Sequence, residues 1–152
     1  MKNRILLFLL TVALAASSPL TVHARGCSNS TIRGSYAFTI HGQILLPGGA
    51  PPIVINGLAR TTFDGNGNLT QLDAVADNGN LDPIWHPNTG TYLLNRDCTG
   101  TMTVSNGDRP AVHLLLIVSQ SGNTIRDMVI DPGFATTAEA ERIQAPGDED
   151  GH

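Results

Sequence analysis

Apolar and polar residues alternate in short runs between residues 34 and 131, which is the pattern of β-strands. The run at 35–41 shows it most clearly, because Tyr36, Phe38 and Ile40 fall on one face of a two-residue repeat. Similar runs cover residues 53–63, 69–76, 89–95, 100–105, 111–119 and 123–131. Glycine, proline, asparagine and aspartate separate the runs, so the pattern predicts about seven strands and no helix in this region.

The run at 112–118 decides how such a sheet is arranged. Its sequence, VHLLLIV, is apolar at nearly every position, so both faces of that strand need to be covered. A single open sheet would leave one face in water, and the series of strands is typical of a barrel or a sandwich. Of these we predict the barrel: an all-β domain over residues 25–134, built as a small closed antiparallel β-barrel of about seven to eight strands.

The composition changes after residue 134. The sequence TTAE at 136–139 resembles the start of a short helix, and the end of the chain is acidic and follows a proline at position 146. We therefore predict that residues 135–152 form a separate tail, with a short helix or disorder and a mobile acidic end.

The first 24 residues have the features of a secretory signal peptide. Lys2 and Arg4 precede an apolar stretch at 5–16, and the small-residue site VHA follows at 22–24. The apolar stretch is too short for a usual membrane span, although an uncleaved anchor is the alternative. We expect a secreted or periplasmic protein with no membrane span in the mature chain.

The charge balance argues against two classes of partner. The chain has 9 basic and 13 acidic residues, and removal of Lys2 and Arg4 would leave 7 basic residues and a net charge of −6. Neutralisation of phosphates requires a basic surface, so nucleic acid is not expected as a partner. The same excess of acidic residues argues against an anionic membrane surface.

Cys27 and Cys98 are the two cysteines of the chain. An isolated pair in an exported protein usually forms a disulfide, which we predict here. A reactive thiol or a metal pair is the alternative, but neither cysteine has a histidine or cysteine neighbour at ligand spacing. The histidines form no HxH or HExxH pattern, so we expect neither a metal site nor a cofactor.

Four motifs give the chain a recognisable order: GSYAF at 34–38, TFDGNGN at 62–68, GTYLLNRDCTG at 90–100 and DPG at 131–133. In this order they resemble small secreted bacterial proteins of unassigned role, which are expected to form a barrel similar to allene oxide cyclase and dirigent proteins. The resemblance spans residues 27–134. It implies a barrel that binds an apolar small molecule in its lumen, and no catalytic residue of those enzymes matches a position in this sequence.

The last predicted hairpin contains a candidate proton carrier. If residues 121–122 form its turn, Asp127 lies opposite Leu116 and Arg126 points to the other face, so one of the two charges lies inside. A buried carboxylate would have a raised pKa and could act as an acid or base, whereas a hydrogen-bonded charge at the barrel mouth is the plainer interpretation. His113, on the neighbouring strand, is the second candidate.

The Asn-Gly pair at 66–67 predicts another two-residue turn. That register sets Arg60 opposite Asp73. The pair would be either a solvent-facing ion pair or a polar group that orients a ligand in the lumen.

Three functions remain open from the sequence. The first is a barrel that binds an apolar small molecule in its lumen, the second is a cyclase or isomerase with Asp127 or His113 as proton carrier, and the third is a structural or protein-interaction module with a filled barrel. An exposed apolar strand face would also allow a homo-oligomer. The candidate ligand contacts are Tyr36, Phe38, Trp85, Tyr92 and Met128.

Overall fold

The structure, a computed structural model, describes residues 26–105, 107 and 110–144. The predicted signal peptide and the acidic end of the chain lie outside the described residues. The described part forms strands joined by short turns and two short 3₁₀ segments, Asn29–Ile32 and Pro47–Gly49. The strands are β1 Gly34–Ile44, β2 Ile53–Phe63, β3 Asn68–Asp77, β4 Asn80–Leu81, β5 His86–Leu94, β6 Thr99–Ser105, β7 Val112–Val118, β8 Thr124–Val129 and β9 Phe134–Gln144.

Eight of these strands close into an antiparallel barrel, as predicted. Each strand pairs with the next along the ring from β1 through β2, β3, β5, β6, β7 and β8 to β9, and β9 pairs with β1. The two-residue β4 pairs only with the end of β3. Closure satisfies the edge hydrogen bonds that an open sheet would expose. None of the helical segments in the described residues has the length and apolar composition to cross a membrane.

The predicted boundary at residue 134 is wrong, because β9 completes the barrel. Residues 135–144 form a strand between β1 and β8, and no helix starts at 136–139. The inward positions of β9 carry the small residues Thr136, Ala138 and Ala140. Phe38 of β1 is paired with Ala140 on one side and Ala59 on the other, so its ring needs small neighbours. A strand with this composition lacks the strong apolar alternation that marked the other seven.

One end of the barrel is closed by the segment at 26–33. Ile32 is fully buried there, and the Cys27–Cys98 disulfide, predicted from the sequence, ties the segment to the turn between β5 and β6. Asn29 accepts a hydrogen bond from the Leu94 backbone N–H at 2.8 Å. At the opposite end, the loops at 45–52, 78–85 and 131–133 contain no buried residue, and we call this the open end.

Arg142 fastens the closed end. Its guanidinium donates to the backbone carbonyls of Thr31, Arg33 and Gly122, and it lies 4.8 Å from the centre of the Tyr36 ring. A cation over an aromatic face adds to these charge-assisted hydrogen bonds. The single side chain therefore joins β9 to the N-terminal segment and to the turn before β8.

Side chains fill the barrel interior. Three aromatic rings form a stack of edge contacts near the closed end, with Phe63 at 5.5 Å from Tyr36 and 4.9 Å from Tyr92. These rings belong to a contiguous buried cluster to which every strand of the closed ring contributes. The lower part of the lumen is therefore a packed core.

Candidate functional site

Asp127 points into the barrel. The register of β7 and β8 is the predicted one, with Leu116 opposite Asp127, and the aspartate is only 7% exposed. Arg126 points outward and pairs with Glu139 of β9 at 3.3 Å. Strand alternation thus separates the two neighbouring charges, and the carboxyl is the one that lies inside.

Burial changes the acidity of this carboxyl. Its cross-strand neighbours on the inner face are Leu116 and Ala138, which supply no charge. Desolvation raises the pKa of Asp127 to about 7, against a smaller lowering effect of the Ala138 backbone N–H. Near neutral pH the group therefore exchanges a proton readily, as an acid–base group needs to do.

The structure does not bring His113 to Asp127. His113 lies on the outer face of β7, and its side chain is about half exposed. Its Nδ1 lies 2.9 Å from Asp131 Oδ1, and its backbone N–H donates to Asp131 Oδ2 at 2.7 Å. These hydrogen bonds lower the pKa of Asp131. The prediction of His113 as a proton carrier in the lumen is wrong, because odd-numbered positions of β7 face outward.

Tyr36, Phe38 and Tyr92 lie inside but are part of the core. The Tyr36 hydroxyl donates to the Gly122 carbonyl, and burial raises the pKa of Tyr36 to about 12. The Tyr92 hydroxyl donates to the Asn29 carbonyl at 3.1 Å and accepts from a backbone N–H at 2.9 Å. Because both hydroxyls hold the closed end together, neither is free to orient a ligand.

Met128 and Trp85 lie outside the lumen. Met128 follows Asp127 on β8 and therefore faces solvent, at 52% exposure. Trp85 is 53% exposed in the loop before β5. The predicted set of ligand contacts is thus divided between the core, the outer face and a loop at the open end.

A second polar group lies on the inner face of β2 and β3, where the sequence prediction was one residue out of register. Asp73 is paired with Ala59, and Arg60 points outward. Thr61 donates to Gln71 at 2.8 Å, and the Gln71 amide lies 3.3 Å from Asp73 Oδ2. This short chain of hydrogen bonds satisfies polar groups inside the barrel rather than forming the predicted ion pair.

The error comes from the turn at 64–67. Asp64 Oδ1 accepts the backbone N–H groups of Asn66, Gly67 and Asn68, and the Asp64 backbone N–H donates to the Asn68 carbonyl, so the turn has three residues, 65–67, instead of two. These hydrogen bonds lower the pKa of Asp64 to about 2. Its carboxylate is thus used by the turn, and the described residues contain no cluster of three or more metal-ligating side chains.

An apolar surface covers the outside of β7 and β8. We call it the β7–β8 patch and define it by four side chains that are 49–58% exposed: Leu115, Ile117, Met128 and Ile130. A shallow depression of about 280 Å³ is lined by three members of the patch, Leu115, Ile117 and Met128, and by Leu116, Arg126, Asp127 and Thr137. The double-faced apolar run of β7 predicted that both faces of this strand are covered, which is wrong for the outer face, because Leu115 and Ile117 are about half exposed.

Comparisons with protein-family models, curated proteins and solved structures gave no significant match for the chain. The resemblance to the allene oxide cyclase and dirigent barrels therefore stays a prediction. The function has to be argued from the geometry alone.

Proposed function

We propose that this chain is an exported binding module that uses a packed barrel as scaffold and the β7–β8 patch as its binding surface for an apolar region of a protein. The observation that carries the proposal is the contrast between the two faces of the sheet. The inner face is occupied by a contiguous core, whereas four large apolar side chains of one outer face are about half exposed. Large contiguous apolar surface is uncommon on soluble proteins and usually marks an interaction site.

Export is part of the proposal. The features of residues 1–24 support it, and so does the Cys27–Cys98 disulfide, since such bonds persist in oxidising compartments. The disulfide and the Arg142 contacts also fit a rigid scaffold, because both fix the closed end.

The test compares the outside of the barrel with the inside. The full chain, expressed with its N-terminal segment under oxidising conditions, is analysed by native mass spectrometry and by thermal unfolding with a panel of lipids and terpenoids. We expect no retained mass and no rise in melting temperature, because the core occupies the lumen. A retained apolar compound whose effect on melting disappears in an inner-face variant such as Ala138→Phe, but not in the patch variant Ile117→Arg, would refute the proposal.

A second candidate function is supported by Asp127. This carboxyl has a pKa of about 7 and lies inside the barrel, below the partly buried Val112 and Val129 near the open end. Such a group is suited to move a proton on an apolar substrate. In this case an apolar small molecule would enter from the open end and be isomerised or cyclised. The same panel tests it: a compound that is bound and converted by the wild type, and bound but not converted by Asp127→Asn, would favour this candidate over the first.

A further inference from the structure

Resting on the proposed function, we infer that Met128 is a modification site, and that oxidation of its thioether to the sulfoxide weakens binding at the β7–β8 patch. The chain has three methionines, Met1, Met102 and Met128. Of the two in the described residues, Met128 is 52% exposed on the outer face of β8, whereas Met102 is 3% exposed in the core. The barrel therefore presents one methionine side chain to solvent and buries the other.

The reaction needs only a hydroperoxide from the surroundings. The Met128 sulfur donates an electron pair to one peroxide oxygen, so that an S–O bond forms and the O–O bond breaks. The proton of that oxygen passes to the other oxygen, which leaves as water or an alcohol. Both cysteines of the chain lie in the described residues and form the buried Cys27–Cys98 disulfide, so no thiol competes for the oxidant.

Met128 occupies the middle of the patch. It pairs directly with Leu115 across β7, and Ile117 and Ile130 lie on either side of this pair along the strands. The sulfoxide replaces a flexible apolar side chain by one with a polar oxygen. Water hydrates this oxygen while the patch is free, but an apolar partner would remove the water and supply no donor in return. Oxidation therefore weakens the bound state while the core of the barrel stays intact.

The charged side chains at the two ends of the patch do not compensate for this loss. Arg126 is paired with Glu139 at 3.3 Å, and His113 is hydrogen-bonded to Asp131 at 2.9 Å. A sulfoxide oxygen would have to compete with a carboxylate for either of these donors, and hydrogen bonds to an ionised acceptor are the stronger ones.

Peptide mass spectrometry of the full chain after graded treatment with hydrogen peroxide tests the site. We expect Met128 to be oxidised at least about tenfold faster than Met102, because peroxide reaches a core side chain only when the barrel opens. Near-ultraviolet circular dichroism and the mass of the intact disulfide confirm that the treated protein is folded. Equal rates for the two methionines in the folded protein would overturn the inference.

Titration with Nile red, an uncharged apolar dye, tests the effect on binding. The dye should bind about fivefold more weakly after oxidation, a factor that corresponds to about 1 kcal/mol, or about half the contribution of a fully buried methionine. Met128→Leu keeps the patch apolar but has no sulfur at this position, so peroxide should leave its dye affinity unchanged. An oxidised wild type with undiminished dye affinity would overturn the inference, and so would an equal loss in Met128→Leu.

Two further variants separate this failure from that of the proposed function. Ile117→Arg should lose dye affinity, whereas Leu58→Arg should keep it, because Leu58 is 55% exposed on the outer face of β2, remote from the patch. If the two variants bind the dye equally well, the patch is not the binding surface and both proposals fail. If only the response to peroxide is missing, the binding module stands and the inference alone fails.

Discussion

Stability should fall as the pH rises toward neutrality, because Asp127 is buried without a compensating charge. The folded pKa is about 7, and the ordinary value that we take for the unfolded chain is 3.8. Below about pH 4 both states hold the proton, so the neutral carboxyl is buried at little cost. Between about pH 4 and pH 7 the unfolded chain releases its proton while the folded barrel keeps it. The free energy of unfolding decreases over this interval and levels off above it.

The magnitude follows from the difference between the two pKa values. Each pKa unit corresponds to 1.36 kcal/mol, so a difference of about three units amounts to about 4 kcal/mol over the whole interval. Between pH 5 and pH 8 the same two values give a loss of about 2–3 kcal/mol. This is a large part of the stability of an ordinary domain, which is about 5–15 kcal/mol.

Urea unfolding at pH 5 and at pH 8 measures the effect. We expect the midpoint to be about 1–2 M lower at pH 8. In Asp127→Asn the difference should largely disappear, because an amide is neutral at both pH values. The variant retains every other titratable group of the chain, so any slope that those groups cause remains. The control Asp77→Asn, at the exposed end of β3, should keep the wild-type slope. An unchanged slope in Asp127→Asn would refute the reasoning.

Three further predictions concern the closed end, and each is checked by urea unfolding at one pH. Replacement of Cys27 and Cys98 by serine should lower the free energy of unfolding by about 4 kcal/mol in the chain-entropy model, because the disulfide spans 71 residues. A decrease of less than about 1 kcal/mol would contradict this prediction. Gly122→Ala should lower the free energy of unfolding by about 3 kcal/mol or more, since a Cβ at this position, where φ is 69°, would lie 2.0 Å from a carbonyl oxygen. Gly48 has a similar φ of 72° but open space around it, so Gly48→Ala should lower the free energy of unfolding by only about 1 kcal/mol. Equal costs for the two would contradict the close contact. Tyr36→Phe should cost about 1 kcal/mol, because it removes one hydrogen bond but leaves the accepting carbonyl with a second donor; no measurable change would show that the hydroxyl bond is not formed in solution.

The sequence predicted the fold wherever a strand had a large apolar face. Seven runs correspond to seven strands of the barrel, which is closed as predicted. The argument from the double-faced run of β7 was nevertheless wrong, because the outer side chains Leu115 and Ile117 are about half exposed. The sequence pattern also failed at β9, where Thr136, Ala138 and Ala140 face the interior. Ala140 lies beside Phe38 of the neighbouring strand, which takes the space, and a pattern read along one strand contains no information about the size of the side chain beside it.

The two hairpins show what decides whether a site can be predicted. In both, the sequence indicated the strands, but the cross-strand partners depended on where the turn is centred. The structure has a four-residue turn at 120–123, which has the same centre as the assumed turn at 121–122, so the pairing of Leu116 with Asp127 was predicted. The assumed turn at 66–67 was wrong because Asp64 binds three backbone N–H groups and lengthens the turn, which moved Asp73 to the inner face.

Successive side chains of a strand point to opposite sides of the sheet, so the candidate site residues are divided between the inside and the outside of the barrel. This division limits the chemistry that is available in the lumen. Asp127 points into the barrel, whereas the residues on either side of it, Arg126 and Met128, point outward. His113, on an odd position of β7, shares the outer side with the β7–β8 patch. Chemistry in the lumen would therefore have to rely on Asp127 without the histidine, whereas the outer face combines apolar contacts with an ion pair. If Asp127→Asn flattens the pH dependence of stability and Ile117→Arg leaves it unchanged, the inner and outer faces of this hairpin act independently, and the buried carboxyl alone adjusts stability.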